Sequence, residues 1–300
     1  MRNDKLLNYL HLHFIVFIWG FTAVLGALIS LEAIPLVWYR MLMATGFVFL
    51  FLLYRKEKLR FSLKTLSKFA LSGVIIALHW LTFFGAIKAS NVSVTLAVLS
   101  TGAFFASLLE PLFYKRKIIF YEVFFGLIAV VGLYVIFDVD SSNAIGIGLA
   151  LISAFLSALF SVLNGKLVLE HKAGAISFYE LLFGVLAITV FLAVSGGFTA
   201  EFFVVSTSDW VYLAILASVC TAYAFIASVH VMKWISPYTV MLTINMEPVY
   251  GIILALIILG DSEKMGSQFY YGAVIILLTV VTNGIIKMRQ QRKRRRLPNT

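Results

Sequence analysis

The chain has 300 residues, of which 61% are hydrophobic and only 13% charged, with a mean hydropathy of +0.98 and a formal net charge of +10 at pH 7. A soluble domain carries about 25% charged residues and has no way to hide so much apolar surface, which excludes a cytosolic enzyme or binding module. The single cysteine, Cys220, excludes a disulfide framework and a paired-cysteine metal centre.

Met1 to Lys5 is polar and mildly basic ahead of an apolar run, as in a secretory signal. The run is too long for that and further spans follow, so it is read as the first helix. Apolar segments near the roughly 20-residue bilayer-crossing length then recur. They lie at 11–30, 35–54, 67–88, 92–113 and 119–137 in the first half, and at 145–168, 175–195, 210–232, 237–259 and 267–286 in the second. The stretch from Gly196 to Asp209, with Phe202-Phe203 in its middle, reads as an interfacial element. With the amino terminus inside, all of the 24 basic residues except Arg40, Lys88 and Lys264 fall on the cytoplasmic side. This alternation predicts ten spans in a cell (inner) membrane with both termini cytoplasmic. The basic tail at 288–300 then reads as an orientation signal and a contact for anionic lipid rather than for nucleic acid.

The two halves look like copies. Leu36-Val37-Trp38-Tyr39-Arg40 aligns with Ile176-Ser177-Phe178-Tyr179-Glu180, an offset of 140 residues (36 to 176). Ser90 to Gly102 aligns with Ser236 to Pro248, and Gly126 with Gly272, both at an offset of 146 (90 to 236, 126 to 272). The expected architecture is therefore an all-α polytopic membrane protein of ten transmembrane helices, with repeats at 1–142 and 143–287. An odd number of spans per repeat inverts the second copy, the arrangement of secondary transporters with a midplane site.

Trp19-Gly20 in the first span, Pro35 followed by Arg40 in the second, Glu247-Pro248 and Leu259-Gly260-Asp261 in the ninth, and Gly272 opening the tenth together resemble the EamA-type transporters of the drug/metabolite transporter (DMT) superfamily. The resemblance covers nearly the whole chain. The first repeat departs from the pattern: Gly102 stands where the second has Pro248, and Lys115 where it has Asp261. The resemblance implies a carrier of a small metabolite or drug, often an exporter, with a cavity lined by spans 1 to 4 and 6 to 9.

Charges inside a bilayer cost roughly 2.5 to 3.5 kcal/mol each on insertion scales and are functional candidates by default. Glu247 lies some ten residues into its span, about 15 Å deep, and His79 at a similar depth. They form the expected substrate or proton site. The alternative is structural, with Glu247 bonded to Asn245, a hydroxyl or the backbone freed by Pro248, and His79 a packing residue. Trp19 and Trp80 are candidates for stacking on cargo, and Tyr223 and Tyr250 are further cavity candidates. Arg40 and Glu180 lie near opposite ends of their spans, too far apart for one small zwitterion; gate or helix-anchoring roles at opposite mouths are expected. Thr101-Gly102 and Pro248 match across the repeats and are read as hinges.

Glu110 and Lys115 are expected to form an interfacial ion pair, and Trp210 and Trp234 to join interfacial belts. His11 and His13 lack an acidic or cysteine partner for a metal. No phosphate-binding loop, HExxH or GxSxG motif is present. No cofactor and no catalysis are therefore expected, and the function indicated is secondary transport of an amino acid or amphipathic metabolite, proton-coupled or by exchange. A channel or receptor is the alternative, and an intramembrane enzyme the more remote one.

Overall fold

The computed structural model describes residues 2–115, 117–139, 143–244 and 246–296. Their regular structure is helical throughout. In hydrocarbon every backbone polar group must be satisfied within its own segment, which long apolar helices accomplish. The elements are α1 (Arg2–Leu28), α2 (Ala33–Tyr54), α3 (Leu63–Ala89), α4 (Val92–Leu99), α5 (Gly102–Tyr114), α6 (Phe120–Val139), α7 (Ala144–Glu170), α8 (Ala173–Ser195), α9 (Thr207–Ala217), α10 (Ala224–Val231), α11 (Pro237–Ile244), α12 (Glu247–Ile258) and α13 (Ser267–Arg296). A π turn (Ser218–Tyr223) joins α9 to α10, and short 3-10 turns sit at Glu201–Phe203 and Gly260–Glu263.

Local chemistry sets the ends. Ser62, Asn91 and Ser206 cap α3, α4 and α9 by accepting from the amides of Thr65, Val94 and Asp209. Gly196 ends α8 with φ 69°, a left-handed conformation that glycine adopts without strain. Among the described residues, seven segments are individually long and apolar enough to cross a membrane: 6–28, 33–54, 63–89, 92–114, 144–170, 173–195 and 207–231. Leu50, Phe124, Val190 and Ile257 lie exposed on their helices, as lipid contact demands.

Three expected spans are interrupted. The fourth breaks at Ser100–Thr101, the eighth carries the π turn, and the ninth divides before α12, where Pro248 occupies the first turn. Proline is tolerated there because that amide has no intrahelical acceptor. The basic segment expected as a separate tail differs from the reading: α13 continues through it to Arg296 as one helix, and residues 297–300 lie outside the described residues.

α3 lies at the centre, against α7 and α8; α2 packs on α8 and α9, α1 on α12, α4 and α5 on α7, and α6 on α13. Facing residues along α2 and α8 run in opposite order. Trp38 meets Thr189, Met41 meets Gly184, Phe49 meets Phe178 and Leu52 meets Gly174, so these two helices are antiparallel. Small residues allow close approaches: a Cβ on Gly20 of α1 would lie 3.0 Å from the Gly251 amide nitrogen, and one on Gly73 of α3 would meet the carbonyl oxygen of Glu180.

Candidate functional site

A cavity of about 50 Å³ opens where α1, α2, α3, α7, α10 and the α11–α12 break converge. Trp19, Trp80, Phe83, Phe160 and Phe225 supply its aromatic wall, and Arg40, His79 and Glu247 its ionisable groups. Room for only a few waters is far below the several hundred Å³ around a drug-sized ligand, so in this conformation the helices are drawn together.

Arg40 turns inward from α2 and is 2% exposed. Its Nε donates to Thr221 Oγ1 at 2.6 Å, and its Cζ lies 4.0 Å from the Trp80 ring centroid. Thr221 can accept because its own hydroxyl proton goes to the carbonyl of Leu216, five residues back, within the turn of π geometry. Arg40 Nη1 is buried with no hydrogen-bond partner among the described residues. A buried guanidinium N–H costs free energy unless paired. Depth alone placed Arg40 at the mouth, with snorkelling as its alternative. Its side chain lines the same cavity as Glu247 and His79.

Glu247 is the first residue of α12, where the exposed amides of a helix start favour a carboxylate. It is 5% exposed, and the neighbouring charge acting on it is Arg40. His79 Nδ1 lies 2.8 Å from Ser153 Oγ and 2.9 Å from the Ser153 carbonyl oxygen, which ties α3 to α7. Its ring packs 5.5 Å from that of Phe160. Trp19 and Trp80 both line the cavity. Asn245 lies outside the described residues.

Two expected cavity residues lie elsewhere. Tyr223 is 43% exposed and its hydroxyl pairs with His11 Nε2 at 2.8 Å, since the π turn rotates the helix face and directs Cys220 and Thr221 inward instead. Tyr250 fills the seam between α1 and α12 against Phe17 and Gly20. Of the expected hinges, Thr101 and Gly102 are buried at the α4–α5 break, Gly102 facing Met241 of α11, and Pro248 is buried in the first turn of α12.

Glu180 stands apart from the cavity. It is fully buried against Ser72 and Gly73 of α3, seven or so residues and thus about 10 Å along that helix from His79. Asn164 Nδ2 donates to its Oε2 at 3.2 Å. The residue before each of these charges plays a similar part. Tyr39 bonds the carbonyl of Phe202 and stacks on that ring, while Tyr179 bonds the carbonyl of Leu59 and stacks on Phe69. The Gly196–Asp209 stretch thus packs Phe202 into the protein beside Trp38, rather than lying wholly at an interface.

Comparisons with known proteins place the chain as a whole. The EamA-like transporter family model fits the chain twice, over residues 8–138 and 144–284. The chain belongs to the EamA-like transporter family. A relative from Clostridium kluyveri described as an uncharacterized transporter is 24% identical over 217 residues, 69% of this chain and 68% of its own length. A protein known from its crystal structure shares the fold at a TM-score of 0.70 with 13% identity, covering 94% of this chain and 98% of its own. This EamA-like chain is accordingly a membrane transporter of the DMT superfamily, and neither the family nor the relative is described as an enzyme.

Residues that depth could not find are Thr22, Ser157, Thr221 and Phe225, which also line or brace the site. One signal was available: Ser153, Ser157, Ser161 and Asn164 recur at helical spacing and mark one polar, buried face of α7.

Proposed function

We propose that this EamA-like transporter is a secondary carrier of a small zwitterion with an apolar or aromatic body, such as an amino acid, and that it works in export by alternating access. The observation that carries this reading is the joint placement of Arg40 and Glu247 in one aromatic cavity. The unpartnered Nη1 of Arg40 suits a carboxylate, Glu247 suits an amine, and the indoles of Trp19 and Trp80 suit an apolar side chain. Thr101-Gly102 and Pro248, at paired helix breaks, would serve as hinges when the cavity widens.

Ten spans in two inverted repeats are supported by the double family match and by the antiparallel run of α2 and α8, which are equivalent helices of the two halves. The packing follows the same exchange: α1 on α12 answers α7 on α4 and α5, and α3 on α8 answers α9 on α2. Cytoplasmic termini in a cell membrane, with the basic end of α13 on anionic lipid, are supported by the distribution of Lys and Arg.

The test is counterflow in proteoliposomes loaded with unlabelled phenylalanine, leucine or threonine, following entry of the labelled compound. Saturable exchange that collapses in Glu247→Gln and in Arg40→Gln supports the carrier and its site. Exchange indifferent to both substitutions removes the site, and flux without counterflow replaces the carrier by a channel.

A further inference from the structure

We propose that Glu180 is a proton-binding site, separate from the cavity, whose protonation holds the α3–α8 crossing closed. Its carboxyl is fully buried within a span, where an unpaired charge is not tolerated. Among the described residues no cation faces it. On the helices packed around α8, Arg40 bonds Thr221, His79 bonds Ser153, Lys68 and Lys166 are exposed, His171 sits among Phe61, Phe69 and Glu170, and His230 lies on Trp234.

What does surround it is neutral. Asn164 donates to Oε2 and the Ser72 hydroxyl lies against the same carboxyl, while Oε1, Asn164 Oδ1 and the Ser177 hydroxyl are buried with no hydrogen-bond partner. A neutral carboxylic acid completes this set. Its Oε1–H gains a donor role that the serine hydroxyls, each able to accept, can satisfy, and no net charge is left in the protein. A metal cation would need a fuller cage of oxygens, and the backbones of α3 and α8 approach too closely here for one to enter, with Gly73 directly on the Glu180 carbonyl.

Loss of the proton leaves a buried carboxylate with neutral amide and hydroxyl donors but no cation, so parting of α3 and α8 to admit water favours the charged form. α3 belongs to the first family match and α8 to the second, so this crossing joins the two halves that alternating access would move. The coupling to transport rests on the carrier reading above; the proton site itself does not.

Infrared difference spectroscopy on the full chain in liposomes, stepping the pH, tests the site. The expected result is a carbonyl stretch of a protonated carboxylic acid that is lost in Glu180→Gln, kept in Glu247→Gln and shifted in frequency in Asn164→Ala; the last keeps the test decisive if the first folds poorly. The same band in Glu180→Gln overturns the proposal, as does a band that disappears when sodium replaces choline at constant pH. For coupling, uptake of labelled phenylalanine with and without an imposed pH gradient should differ in the wild type, and the ratio should fall to one in Glu180→Gln. An unchanged ratio overturns coupling. Absence of uptake in the wild type removes the carrier reading and coupling with it, while the spectrum still decides the proton site.

Discussion

Arg40 Nε donates to Thr221 Oγ1 at 2.6 Å, and the guanidinium this fixes lies over Trp80 with Nη1 left unpaired, in the cavity that Glu247 also lines. One bond therefore joins α2 to the π turn and fixes the guanidinium in the wall of the cavity. Lysine has no planar fork to make both contacts. Arg40→Lys is expected to lower exchange by about tenfold or more while the protein remains folded, since a desolvated cation–π contact alone contributes about 2 kcal/mol. Arg40→Ala should also lower thermal stability, by about 3–5 kcal/mol, because Glu247 then lacks its cation. Unfolding in detergent read beside counterflow separates the two effects.

Gly20 and Gly251 meet backbone to backbone one turn from Glu247. A Cβ at position 20 would press on the Gly251 amide and on Tyr250, so Gly20→Val is expected to destabilise by about 1–3 kcal/mol. Gly46 faces open space, and Gly46→Ala should leave the melting temperature unchanged. Equal effects at both positions would refute the close crossing of α1 and α12.

The turn after α12 carries a cap that no motif announced. Glu263 Oε1 accepts from the Val92 amide, and its Oε2 from the amide and hydroxyl of Ser93, at the start of α4. Glu263→Ala strands these donors and is expected to cost about 1–3 kcal/mol in thermal unfolding. Glu263→Gln, which still accepts at one oxygen, should cost less.

Lys58, before α3, and Val204, before α9, are both exposed, and the repeat offset of 146 residues (58 to 204) would make them equivalent. In a Cys220→Ala background, Lys58→Cys and Val204→Cys are expected to react with a membrane-impermeant maleimide from opposite sides of the membrane. Labelling of both from one side would remove the inverted repeat.

Depth along a span was legible from the sequence for His79, Trp80, Trp19 and Glu247, and all four meet in one cavity. The same count did not show that Arg40 lines that cavity, nor that Tyr223 faces outward beside the π turn to bond His11. A count of residues says how far along a helix a group lies, whereas its direction around the helix depends on every local change of pitch between it and the helix start.

By itself the sequence determined that the chain is helical and spans a membrane, because hydrophobic length and the placement of charges follow directly from residue order. Only the tertiary structure decided which charges meet. Arg40 and Glu247 share a cavity, while Glu180 is packed away from it against Asn164 and Ser72. These pairings bring together residues 207 and 16 positions apart in the chain (40 to 247, 164 to 180), and they arise from glycine-mediated contacts between helices and from helix breaks that turn one face of a span relative to the rest.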